Sequence, residues 1–158
     1  MKYFITGATG FIGKNLSLKL ADEGHEVNAL IRNKAKSSLL DHPNINLFYG
    51  DIHQREVIES ALQGVNGIFH LSAFAKPWAK NPGIYSKVNV EATKNLYQIA
   101  RKNKISKIVF TSTGGTFGPS FKKPVDEETK RQTDFFNEYE STKFMAEGPY
   151  KTYSTGTR

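Results

Sequence analysis

The stretch "KYFITGATGFIGKNL" (residues 2–16) decides how the rest of the chain is read. Residues 2–6 form a short run rich in aromatic and β-branched side chains, the mark of a strand. It passes straight into Gly7, Gly10 and Gly13, which open a helix-compatible segment. Only thirteen glycines are spread over 158 residues, so three in the register G-x-x-G-x-x-G at this junction are a rare coincidence. Gly7 lets the chain turn sharply off the strand, Gly10 lets backbone approach a pyrophosphate, and Gly13 lets the helix pack tightly on the sheet. The backbone of Thr9, Gly10, Phe11, Ile12 and Gly13 then faces the anion at the positive end of the helix. The pattern predicts a strand–turn–helix unit built to hold a dinucleotide.

Outward from this unit, short apolar runs recur at 26–31, 45–50, 67–72 and 107–112. Helix-compatible segments lie between them. Residues 11–23 place Ile12, Leu16 and Leu20 on one stripe; 54–62 carry Val57, Ile58, Ala61 and Leu62; 83–102 place Val88, Ala92, Leu96 and Ile99 at helical spacing. The runs are apolar on both faces, as in strands covered by helices on two sides. A doubly wound parallel sheet, Rossmann-like and α/β, is the simplest closure. A last helix is expected around 135–147, with Gly148-Pro149 ending or kinking it, because proline lacks an N–H and crowds the preceding turn.

At the end of the second run, "ALIRNKAK" (29–36) carries Arg32 where a preference for NAD calls for Asp or Glu. A guanidinium there suits a 2′-phosphate, and Lys34 or Lys36 could add charge. NADP(H) is therefore the favoured cofactor, with NAD(H) second. The net charge of +7 is otherwise scattered, in "RKNK" (101–104) and "KK" (122–123) against "DEE" (126–128). That predicts a mixed solvated surface and no nucleic-acid partner. The chain has no cysteine, which excludes disulfides and thiolate chemistry. No apolar run reaches bilayer length and "MKYFITG" has no signal-peptide pattern, so a cytoplasmic protein without a membrane partner is expected. No metal site is expected.

Taken in order, these motifs resemble the extended short-chain dehydrogenase/reductase family, in particular its epimerase/dehydratase and dihydroflavonol-reductase-like groups. "TGATGFIG" (6–13) matches its phosphate turn. "GDI" (50–52) resembles the strand end whose Asp contacts adenine, which points to Asp51 and Ile52. "HLSAFA" (70–75) resembles the segment that passes the pyrophosphate and ribose, which points to Leu71, Ser72 and Ala73. "NVEATKNL" (89–96) resembles a helix motif beginning with Asn89, with Ala92 in place of the usual Gly. "IVFTSTGGTFG" (108–118) resembles the strand end bearing a catalytic hydroxyl, here Thr113 with Ser112 beside it. "YESTK" (139–143) resembles the catalytic Tyr-x-x-x-Lys pair, a spacing that places both side chains on one helix face.

The resemblance implies a catalytic set of Thr113, Tyr139 and Lys143, with Tyr139 and Lys143 also touching the cofactor. Its implied reaction moves a hydride to or from a small-molecule carbonyl or alcohol while Tyr139 moves the proton, since a nearby ammonium stabilises a phenolate. It also implies a homodimer joined through the helix over 83–102 and the Tyr139 helix. The family's sixth strand and C-terminal substrate lobe have no counterpart in residues 1–158, so the expectation is a dinucleotide-binding domain cut from a longer enzyme and inactive or nearly so alone. Phe74 and Trp78 are candidates to reach substrate. Two alternatives stay open: a nucleotide-sugar epimerase or dehydratase using NAD, and a non-catalytic dinucleotide sensor or RNA-associated member of the fold.

Overall fold

The computed structural model describes residues 1–120 and 124–155. The basic pair at 122–123 lies outside them. Five strands, β1 (Lys2–Thr6), β2 (Glu26–Ile31), β3 (Ile45–Tyr49), β4 (Gly67–His70) and β5 (Lys107–Phe110), form one sheet in the order β3-β2-β1-β4-β5. Every pairing is parallel. The chain therefore winds outward from β1 to β3, crosses back, and continues through β4 and β5 on the other side. The reversal lies between β1 and β4, and a crevice opens there at the carboxyl ends of the strands.

The sheet feeds two cores, one on each face. Phe4, Leu30, Ile68 and Ile108 point to one face, where α2 (Arg55–Ala61) and α4 (Ala92–Lys102) cover them. Ile5, Ala29 and Ile31 point to the other, under α1 (Phe11–Asp22). Within β2, Asn28 is buried yet satisfied: its amide donates to the Ala61 carbonyl at 2.7 Å and accepts from Asn46 at 3.2 Å. Among the described residues no helix is long and apolar enough to cross a membrane.

Four details differ from the sequence expectations. The fully buried face of α1 is Gly13, Ser17 and Ala21; of the expected stripe, Leu16 and Leu20 are partly buried against the second core and Ile12 is not. Small residues let the helix axis come close to the sheet, and Ile12 in consequence stands 55% exposed. Strands β4 and β5 stop two residues short of the predicted ends: Leu71–Ser72 line the crevice and Thr111–Ser112 engage α5 instead. The helix expected over 83–102 is a composite of α3 (Gly83–Tyr85), a π-helical turn over Ser86–Glu91, and α4. The last helix, α5, begins at Glu138 and runs through Pro149 to Thr155. Gly148-Pro149 does not end it; the helix goes without the bond from residue 149 to the Met145 carbonyl instead.

Candidate active site

A cleft of about 720 Å³ occupies the crevice between β1 and β4. One wall is the turn Gly7–Gly10, the other Leu71, Ser72, Ala73 and Phe74, and Arg32, Asn33, Lys36, Asp51 and Ile52 close one end. The walls can approach because Gly7 has φ 70° and no side chain: a β-carbon there would sit 2.9 Å from the Ser72 nitrogen. A β-carbon on Gly13 would lie 2.2 Å from the Gly7 carbonyl oxygen, so the first turn of α1 is pressed onto the strand end. That turn has no acidic residue and no side-chain cap. Its amide groups and dipole are thus left for an anion. Ser72 Oγ is buried on the opposite wall without a partner among the described residues. A glycine cradle, an uncapped helix start and a basic far end together fit a dinucleotide. Phe11 and Ile12 contribute backbone only, their side chains standing out in solvent.

At the far end the Arg32 guanidinium lies 3.7 Å from the Asp51 carboxylate, which also has His53 at 3.6 Å. The Arg32 side chain is 77% exposed and reaches over the mouth of the cleft. Lys36 joins the lining, whereas Lys34 turns away and lies over the Tyr49 ring at 5.3 Å. Among the described residues no group of acidic or histidine side chains is arranged to hold a metal ion.

Beneath the crevice is a network that sequence reading missed. His70 is 1% exposed, with Nδ1 2.7 Å from Thr6 Oγ1 and Nε2 2.8 Å from Thr93 Oγ1. The Thr93 hydroxyl donates its proton to the Asn89 carbonyl at 2.7 Å, so it accepts from His70. His70 is therefore the Nε2–H tautomer, and Nδ1 accepts from Thr6. The Thr6 oxygen in turn accepts from the amides of Leu71 and Ser72, both at 3.2 Å. Burial, with the nearby Lys143 charge adding to it, pulls the imidazole from 6.5 to about 3, so it is neutral. The only sequence signal was a histidine at a strand end with threonines elsewhere, and nothing local joins the three.

Asn89 is not on the cleft wall. Its side chain accepts from Phe74 N at 2.7 Å and donates to Phe74 O at 3.2 Å and Thr142 Oγ1 at 3.1 Å. These bonds tie Phe74, on the second wall, to α5 through Thr142. Phe74 stacks edge-on to Tyr85, whose hydroxyl donates to the Lys76 carbonyl at 2.5 Å, and Trp78 stands exposed.

Thr113, Tyr139 and Lys143 lie at the end of β5 and on α5, beyond the lining of the cleft. Thr113 caps a 3₁₀ turn over Gly114–Phe117, its hydroxyl accepting from Gly115 N at 3.3 Å. Lys143 is only 2% exposed; its Nζ donates to the Thr111 carbonyl at 2.6 Å and sits 4.0 Å above the Phe110 ring. Burial lowers its ammonium from 10.5 to about 8, with Glu147 opposing the shift. Arg131 clasps this region. It donates to the carbonyls of Gly115, Thr133 and Asp134, pairs with Glu140 at 3.0 Å, and stacks on Phe135 at 4.2 Å. Ser112 Oγ donates to Glu147 Oε1 at 2.6 Å. Neither Arg131 nor Glu147 belongs to a motif, so only the folded chain could reveal them.

Residues 3–156 match the model of the NAD dependent epimerase/dehydratase family. A putative dihydroflavonol 4-reductase of Synechocystis sp. is 29% identical over 92% of this chain and 43% of its own length. A 3 beta-hydroxysteroid dehydrogenase/Delta 5-->4-isomerase of Mycobacterium tuberculosis is 33% identical over 92% of this chain and 41% of its own. Among solved structures, the Thermus thermophilus UDP-glucose 4-epimerase in complex with NAD superposes with a TM-score of 0.85 at 23% identity, over 99% of this chain and 52% of that one. The chain thus spans less than half the length of these curated relatives and about half of that solved chain. A glycine cradle at the sheet's switch point, a Tyr-x-x-x-Lys helix and the match over residues 3–156 lead to one conclusion: this chain belongs to the NAD dependent epimerase/dehydratase family.

Proposed function

We propose that residues 1–158 are the dinucleotide-binding part of an NADP(H)-dependent oxidoreductase that reduces a ketone or aldehyde, with Tyr139 as proton donor. The observation that carries this reading is the basic end of the cleft, where Arg32 and Lys36 line the place reached from the end of β2. A 2′-phosphate would take Arg32 from a 3.7 Å contact with Asp51 into a shorter bidentate one. When bound, the dinucleotide supplies the hydride. The chain's own residues then have one proton to move. Tyr139 gives it to the substrate oxygen, the Thr113 hydroxyl hydrogen-bonds that oxygen, and the Lys143 ammonium one helical turn away stabilises the phenolate left behind.

A second reading, an NAD-using epimerase or dehydratase, is favoured by the Asp51 carboxylate, which already neutralises Arg32. Titration calorimetry with NADPH and NADH separates the two. Tighter NADPH binding is expected, with Arg32→Ala weakening NADPH by about 10–100-fold, the loss of one charge-assisted contact, and leaving NADH little changed. Tighter NADH binding, unaffected by the substitution, would sink the NADP(H) reading.

A further inference from the structure

α5 carries Glu140, Lys143 and Glu147 at i, i+3 and i+7, one stripe of the helix. All three side chains engage the turn that follows β5. Glu140 fills the space beside Gly115, where a β-carbon would come within 2.9 Å of its Cγ. Lys143 Nζ holds the Thr111 carbonyl, and Glu147 Oε1 holds the Ser112 hydroxyl, each at 2.6 Å. Thr113 is the residue between these anchors.

Resting on the reading that Thr113, Tyr139 and Lys143 carry the proton chemistry, we propose that Glu147 is a positioning residue of that site. It fastens Ser112, and through it the Thr113 hydroxyl, to the helix that bears Tyr139, while its charge keeps the buried Lys143 in the ammonium form. The electrostatics follow from the surroundings. Lys143 faces a carbonyl and an aromatic ring on β5, neither of which carries a full charge. From β4 it faces His70, which is neutral. Tyr97 on α4 and Tyr150 on α5 gather around the same Phe110 ring, and burial pushes the Tyr97 phenol up, so it stays protonated. Tyr139 lies one turn before it on α5. Lys151 approaches Glu147 at 3.9 Å but is largely in solvent. Glu147 is thus the group whose charge acts on Lys143 in the stabilising direction.

The test needs no turnover and no cofactor. Lysine Cε resonances of the full chain are followed by NMR against pH, with Lys143→Met assigning the signal, and the Thr113 methyl resonance reports the turn. The wild-type Lys143 signal is expected to titrate near 8. Glu147→Gln keeps an acceptor for Ser112 but removes the charge, and should raise the Lys143 acid dissociation constant about tenfold. Ser112→Ala should leave that titration nearly unchanged and shift the Thr113 methyl. Glu147→Asp keeps the charge on a shorter arm, so it should hold the lysine near its wild-type titration while displacing Thr113. If Glu147→Gln does not fold, the Asp variant decides alone. An unmoved Lys143 in Glu147→Gln, an unmoved Thr113 in Ser112→Ala, or a Glu147→Asp chain that shifts Lys143 but not Thr113 would overturn the proposal. Failure of NADPH and NADH to bind would instead remove the functional reading and leave these results standing.

Discussion

His70 shows how a single side chain makes the fold sensitive to acid. In the folded chain it protonates only near 3, whereas an exposed histidine does so near 6.5. Between those values the unfolded chain binds a proton that the folded chain refuses, so stability falls as pH drops through that window. Above about 6.5 neither state is protonated and this contribution is flat. His70→Ala is expected to remove that acid slope while costing about 2–4 kcal/mol at pH 7, from the cavity and from the two buried hydrogen bonds lost with Thr6 and Thr93. Urea titrations of both chains at pH 7 and 4.5 check both parts; an unchanged slope would mean that other groups set it. Gly7, Gly13, Arg32 and the Tyr139–Lys143 spacing could be read as candidates in the sequence because each is marked by a pattern within its own turn, strand end or helix. His70, Arg131 and Glu147 act through partners 23 to 64 residues away or through a loop of irregular backbone, and leave no periodic trace.

At the level of elements, α1 and α5 mark the limits of pattern reading. The α1 stripe was partly right: Leu16 and Leu20 pack against the core, but the face pressed on the strand end is Gly13, Ser17 and Ala21. A hydrophobic stripe assumes that the buried side is the greasiest one, but a helix held within reach of the Gly7 carbonyl can bury only Gly13, Ser17 and Ala21 there. In α5 the proline does not end the helix. Tyr150, immediately after Pro149, packs against Tyr97 and Phe110, and that packing is what the continued helix secures. Pro149→Ala restores an amide donor and removes a ring clash while keeping the packing. It is expected to stabilise the chain by about 1–3 kcal/mol, read from the denaturant midpoint with an unchanged m-value. A lower midpoint would show that the proline ring has a packing role of its own.

For the molecule as a whole, a doubly wound parallel sheet was legible from the alternation of runs, since a right-handed βαβ series has few closures, while the order β3-β2-β1-β4-β5 is what the structure adds. The proposed catalytic half was legible only as a set of motifs. How β5, the turn at Thr113 and α5 are clasped together depends on side chains that no alternation encodes. A ligand across the reversal should brace both halves of the sheet at once. A dinucleotide at 100 times its Kd is expected to raise unfolding stability by about 2.7 kcal/mol. Hydrogen exchange should slow at the Gly7–Gly13 turn together with β1 and β4, and slowing confined to the turn would count against a site that spans the crevice.

The hydrogen bonds through Thr6, His70 and Thr93 all run in one direction, from the Leu71 and Ser72 amides to the Asn89 carbonyl. Two N–H groups of the cleft's second wall are therefore already spoken for, turned inward toward the sheet. A phosphate entering the crevice would meet backbone amides on the helix side, while the opposite wall keeps one donor of its own, the Ser72 hydroxyl.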